Sequence, residues 1–251
     1  MTIPRILTIA ASDSGGGAGI QADIKTITML GGHAMTAITA LTAQNTLGVT
    51  HVMPVPVAMV IAQINACVSD IGLDAVKIGM LGSVEVAEAV AERLSGIGVP
   101  IVLDPVMVAS SGATLADAAT VAALDRVMRI ATLTTPNLPE LEALGGIAAL
   151  MRKGATVLVK GGHGKGAEID DRLIGPGGEI AAWSAARIET RHTHGTGCTL
   201  ASAIATGLGA GLSLTQAITR ARDFVRASLL AAPGLGQGHG PMGQGFVRDQ
   251  G

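Results

Sequence analysis

The chain has 251 residues, 48% of them hydrophobic and 14% charged, which suits one large α/β core better than two. A net charge of -2, no basic cluster, no tyrosine, two phenylalanines and one tryptophan leave little for nucleic-acid binding by charge and base stacking. The two cysteines, Cys67 and Cys198, stand far apart without CxxC spacing, which argues against a disulfide framework or a structural zinc site. No unbroken apolar run reaches the roughly 18 residues of a membrane span, and the short first apolar run does not read as a signal peptide, so the expectation is a cytoplasmic protein.

In chain order, "RILTIAAS" predicts a buried strand and Ala18–Leu30 a helix. "HAMTAITALTAQN" predicts an extended segment, and "VAMVIAQINACVSDI" a helix with Cys67 in its core-facing set. "DAVKIGML" reads as a strand, and "SVEVAEAVAERLSGIG" as a helix with Ser83 as its N-cap. A strand "VPIVLDPVM", a helix "LADAATVAALDRVMRIA", a short strand "TLTTPN" and a short helix "LPELEALGGI" follow. "ATVLVKGG" is a strand, and "DDRLIGPGGEIAAWSA" a hairpin turning at Gly175–Gly178. Helices over 197–211 and 214–231 precede a glycine-rich tail. This alternation predicts a mainly parallel sheet covered on both faces, with ligands beyond the carboxyl ends of its strands.

Those ends carry the candidate chemistry. The loop "SDSGGGAGIQAD" fails the dinucleotide fingerprint because Ile20 stands where the last glycine should fall, and Gly164-Lys165 fails the Walker pattern at Val159 and Gly166. Its glycines read first as a tight strand–helix turn. Asp23, one turn into an apolar helix, needs a partner. Asp104 ends an apolar strand, as either a helix cap or a site group. Asn137 and Glu140, three apart, fit a capping box better on spacing alone than a magnesium site. Lys160, at a strand end, is either a surface lysine or a phosphate partner.

The sharpest signal is "HTHGTGCTLASA". The amides of Gly195, Thr196, Gly197 and Cys198 can converge on an anion at a helix N-terminus, and the same field should lower the thiol pKa of Cys198. The competing reading is a small cysteine packed in a tight turn. Met80, at a strand end, is the one methionine that qualifies for the site; the rest read as core filler.

Together, "SGGGAGIQADIKT", "ITALTAQNTLGV", "KIGMLGS", "VLDPVMVASSG", "TPNLPELEAL", "VKGGH", "DDRL", "THGTGCTLASA" and "GQGHGP" resemble the hydroxymethylpyrimidine and hydroxymethylpyrimidine-phosphate kinases of thiamine biosynthesis, in the ribokinase-like superfamily. The resemblance spans nearly the whole chain. It implies one ribokinase-like α/β domain over residues 1–251, with a mostly parallel central sheet, helices on both faces and a small β flap. It implies ATP and Mg2+ as cofactors, a small pyrimidine substrate and a homodimer. Asp23 and Gln44 would hydrogen-bond the pyrimidine, with Met80, Val106, Ala11 and Ala18 around it. Gly195, Thr196, Gly197 and Cys198 would form the anion hole, with Cys198 as catalytic base. Asn137, Glu140 and Asp104 would serve the metal, and Lys160, Asp104 and Thr193 the nucleotide; the family motif thus replaces the capping preference. Ala11 stands where the family usually has glycine. Only 19 residues separate Glu140 from Lys160, which predicts a trimmed nucleotide side. A pyridoxal kinase of the same superfamily and a non-catalytic pyrimidine-binding protein are the competing readings.

Overall fold

The computed structural model describes residues 2–107, 118–164 and 166–247. The first residues of the expected helix at 115–131, the "VASSG" portion of one family motif and Lys165 lie outside them. Nine strands are described: β1 (Arg5–Asp13), β2 (His33–Gln44), β3 (Val49–Pro54), β4 (Ala75–Ile78), β5 (Ile101–Leu103), β6 (Leu133–Thr134), β7 (Val157–Val159), β8 (Glu168–Gly175) and β9 (Gly178–Ala186). They make one sheet in the order β3-β2-β1-β4-β5-β6-β7-β8-β9. The six central strands from β2 to β7 run parallel, while β3, β8 and β9 are antiparallel additions at the edges.

The helices are α1 (Gly19–Met29), α2 (Val57–Asp70), α3 (Val84–Leu94), α4 (Ala118–Ile130), α5 (Leu138–Ala143), α6 (Gly146–Arg152), α7 (Thr196–Gly209) and α8 (Leu214–Leu230). Strand side chains alternate between the faces. Leu7, Ile9, Val76, Ile78 and Leu103 meet α2, α3 and α4 on one side. Ile6, Ala75, Val102, Leu133 and Leu158 meet α1, α7 and α8 on the other. A strand covered on both faces has no polar side, which is why the central strands read as unbroken apolar runs. Ser83 caps α3 as expected, its side chain accepting from the Val86 amide. The β8–β9 hairpin pairs Gly175 with Gly178, at the expected turn.

Two elements depart from the sequence reading. β3 was not anticipated: "VTHVMP" pairs only with the far half of β2 and is exposed along nearly its whole length. The single short helix expected over 138–147 is two, α5 and α6, because Gly145 and Gly146 both take positive φ (90° and 80°). Left-handed backbone ends one helix before the next begins. The 19-residue connection therefore still holds half of α5, all of α6 and β7.

Candidate active site

The carboxyl ends of the parallel strands open into a cavity of about 860 Å³. Ala11, Ala18, Gln44, Met80, Asp104, Val106, Asn137, Glu140, Lys160, Thr193 and Gly195–Cys198 all line it. The sequence-predicted set is thus brought together, with one exception.

That exception is Asp23, which does not line the cavity. It is fully buried, and its carboxylate accepts from Lys77 Nζ at 2.8 Å, from Ser202 Oγ at 2.7 Å and from Thr8 Oγ1. The expected contact with the pyrimidine is therefore corrected: Asp23 is buried off the cavity, and its three donors lie in the core between β1, β4, α1 and α7. Lys77 was missed. A lysine inside the four-residue apolar strand "AVKI" was the available signal, since a buried cation and a buried carboxylate each require the other.

The glycine-rich loop after β1 is a tight turn organised by Asp13. Its carboxylate accepts from the amides of Gly15 (2.8 Å), Gly17 (3.0 Å) and Ala18 (2.8 Å) and faces His194 Nε2 at 2.9 Å. Burial opposes ionisation of Asp13, but the bonds from His194, Ala18 and Gly15 outweigh it and hold the carboxyl below the usual range. His194 Nε2 also lies 3.1 Å from Gln44 Nε2, and Thr42 Oγ1 donates to Gln44 Oε1 at 3.2 Å. Ser14 grips the Gln44 backbone through both its N–H and its carbonyl, at 2.8 Å each. The sequence puts Asp13 at a strand end beside the site but gives it no role, and it reads the histidines of "RHTH" as loop surface, because the pairing of Asp13 with His194 exists only once the two loops meet.

Gly195, with φ 85°, is the N-cap of α7, and no side chain caps this helix. A Cβ on Gly195 would collide with the Gly17 carbonyl, so the two glycine turns are packed backbone to backbone. The Thr196 amide already donates to Thr193 O at 3.2 Å, so the expected four-amide cradle narrows to its neighbours. Gly197 is tight for another reason. A Cβ there would lie 3.1 Å from Asp104 Oδ2 and 3.3 Å from Lys160 Nζ.

Cys198 follows at the rim, partly exposed to the cavity. Burial pushes its thiol up to about 11, against the opposing charge of Lys77 and a hydrogen bond from the Gly19 amide. The expected lowering by the helix terminus is therefore corrected: loss of solvent outweighs it. The resting group is the thiol.

Lys160 Nζ donates to Asp104 Oδ1 at 2.8 Å and lies 3.9 Å from Glu140 Oε2. Both bonds of the capping box form: Asn137 Oδ1 accepts from the Glu140 amide at 2.9 Å and Glu140 Oε2 accepts from the Asn137 amide at 2.8 Å. Asn137 thus spends its oxygen locally. Burial, with the charge of Asp104 added, pushes Glu140 up to about 7 although Lys160 opposes it. Among the described residues no group of three or more His, Cys, Asp or Glu side chains is arranged to hold a metal. Further along the cavity, Arg187 ties down the loop after β7 by donating to the carbonyls of Gly162 (2.9 Å), Gly164 (2.7 Å) and Gly166 (2.9 Å). Asp171 holds the Gly161 amide and Arg222, at 2.9 and 2.8 Å. No helix among the described residues is long and apolar enough to cross a membrane.

Comparison with known proteins places this geometry. The phosphomethylpyrimidine kinase family matches residues 13–243. A hydroxymethylpyrimidine/phosphomethylpyrimidine kinase of Streptomyces coelicolor is 46% identical, over 98% of this chain and 96% of its own. One from Rhizobium meliloti is 47% identical, over 94% and 95%. Among solved structures, an ADP complex of Bacillus subtilis pyridoxal kinase superposes with a TM-score of 0.88 at 30% identity, over 99% of this chain and 100% of its own. A phosphomethylpyrimidine kinase of Clostridium difficile gives 0.74 at 36%, over 89% and 98%. The fold is ribokinase-like, the protein is a kinase, and the chain belongs to the phosphomethylpyrimidine kinase family.

Proposed function

We propose that this kinase transfers the γ-phosphoryl group of ATP to the hydroxymethyl oxygen of 4-amino-5-hydroxymethyl-2-methylpyrimidine, and then phosphorylates the monophosphate, in thiamine biosynthesis. The observation that carries this reading is the placement of Gln44 and Cys198 on one cavity. Gln44 offers an amide whose oxygen is reached by Thr42 Oγ1, and such an amide matches the amino group and ring nitrogen of an aminopyrimidine. A ring without that edge leaves the amide unpaired, which is a strong basis for discrimination. Met80 and Val106 supply apolar contact, and Ala11 and Ala18 leave room beside the loop.

At the other end, the first turn of α7 offers amides and a helix terminus to the phosphoryl oxygens. Lys160, next to that turn, adds a positive charge. As the new oxygen–phosphorus bond forms, the bond from the γ-phosphorus to its bridging oxygen breaks and ADP leaves. The hydroxyl proton passes to the Cys198 sulfur once that group has ionised. A thiol held near 11 makes a stronger base than an ordinary one, at the cost of being ionised less often at neutral pH.

Glu140 fits a magnesium ion: it is a buried carboxylate beside a second one, and a cation would relieve its charge. Asp104 is engaged by Lys160 and by Thr135 Oγ1, the latter at 3.3 Å, and Asn137 by the cap. One carboxylate with phosphates and waters is a usual magnesium set. When bound, the ion would screen the phosphate charge.

The likeness to pyridoxal kinases favours a second reading, in which the same hole serves a pyridine. The two separate by kcat/KM for ADP release with the hydroxymethylpyrimidine and with pyridoxal. A value at least tenfold higher for the pyrimidine is expected. A preference for pyridoxal, or no turnover with the pyrimidine, overturns the proposal.

A further inference from the structure

One buried feature is not used by the chemistry above. Lys77 and Asp23 form an ion pair with both side chains fully shielded from solvent. Buried pairs of this kind lose about as much hydration as they regain in attraction, so stability alone does not explain one. Its position does suggest a use. Thr8 and Lys77 are register partners on adjacent parallel strands and point to the same face, where both donate to the Asp23 carboxylate. On that face α1 and α7 run side by side and touch at two successive rungs. At the upper rung Gly19, the first residue of α1, and Cys198 line the same cavity. One turn lower, Ser202 Oγ donates to Asp23 Oδ1 at 2.7 Å. Residues four apart on a helix share a face, so Cys198 and Ser202 on α7 stand above one another, as do Gly19 and Asp23 on α1. The ion pair is the floor directly beneath the thiol.

We propose that Lys77 and Asp23 are positioning residues for Cys198: Lys77 supplies the buried positive charge that favours the ionised sulfur, and Asp23, fixed by Thr8 and Ser202, limits how much of that charge the sulfur feels. The charged groups facing Cys198 come from four elements: Lys77 on β4, Asp23 on α1, Asp104 after β5 and Lys160 after β7. Lys77 and Asp23 act on the thiol in opposite directions. The arrangement lets the helix terminus carry a reactive sulfur without leaving a lone cation in the core. In turnover this rests on Cys198 being the proton acceptor, but the electrostatic coupling is testable without turnover.

The test is the alkylation rate of Cys198 by iodoacetamide at pH 8, resolved from Cys67 by peptide mass spectrometry, with folding followed by circular dichroism. Below the midpoint of the thiol, rate follows the ionised fraction. Asp23→Asn leaves the lysine charge unopposed and should speed alkylation at least threefold. Lys77→Met should slow it at least threefold. The double variant, which leaves no buried charge unpaired, should fall between the Lys77→Met rate and the parent. A purely structural role would move the two single variants in the same direction, or neither, and either result overturns the proposal. If a single variant does not fold, the double variant decides alone, and a rate equal to or above the parent's overturns it. A coupling that holds in a chain without pyrimidine kinase activity would leave this inference standing while removing the functional one.

Discussion

Lys160 reaches Asp104 at 2.8 Å, and the pair lies against the first turn of α7, where Gly197 alone leaves room for it. The anion-binding turn and the charged pair are therefore one mechanical unit. A methyl at 197 would stand 3.1 Å from Asp104 Oδ2 and 3.3 Å from Lys160 Nζ. Gly197→Ala is expected to lower kcat at least tenfold, about 1.4 kcal/mol in the barrier, while urea denaturation shifts little. A kcat within twofold of the parent would show that the pair tolerates displacement.

Glu140 links stability to function in opposite directions. Its carboxyl titrates near 7 in the folded chain, against roughly 4.3 when unfolded. The folded state therefore holds the proton more tightly, and stability falls as pH rises through that window. Glu140→Gln keeps the capping box, since glutamine serves equally at that position. The variant should melt at about the same temperature as the parent below about pH 4 and higher at pH 8. A gain of about 1 kcal/mol corresponds to roughly 2–4 °C in a domain of this size. Added magnesium should raise the Tm of the parent but not of the variant, and the variant should lose most of its kinase activity.

Asp13 behaves in the opposite way. Its folded pKa is depressed, so its contribution is present above the unfolded value of roughly 3.9 and is lost as pH falls through the folded value. Asp13→Asn is expected to cost roughly 2–4 kcal/mol at pH 7, because three loop amides and His194 lose a charged acceptor. Urea titrations at pH 7 and at successively lower pH should show the difference between parent and variant shrinking below about pH 4. A difference independent of pH would mean that the charge of Asp13 is not what orders the loop.

The sheet, its order of helices and the cavity-lining strand ends were legible because parallel strands buried on both faces leave long apolar runs ending in Asp13, Asp104 and Lys160. α7 was legible because glycines, a cysteine and small residues coincide at its start. β3 was not, since an exposed edge strand carries neither alternation nor an apolar run. Spacing also could not separate the cap of α5 from a magnesium site: the structure forms the cap and still turns the Glu140 carboxylate to the cavity. Asp23 shows the limit most clearly. Its need for a partner was visible, but only the register of β1 with β4 identifies Lys77 as that partner and removes Asp23 from the pocket. The direction of the Cys198 shift was likewise outside sequence reasoning, because it depends on how much solvent the folded rim excludes.

The central claim is that Cys198 accepts the substrate proton, and kcat for ADP release with ATP, magnesium and the hydroxymethylpyrimidine, measured from pH 6.5 to 9.5 in the parent and in Cys198→Ala, tests it most directly. With the thiol near 11, kcat of the parent should rise with pH across this range. The variant should be slower by about 100-fold or more and flat with pH, as the loss of a positioned base requires. A variant as fast as the parent, or one with the same pH dependence, would contradict the account.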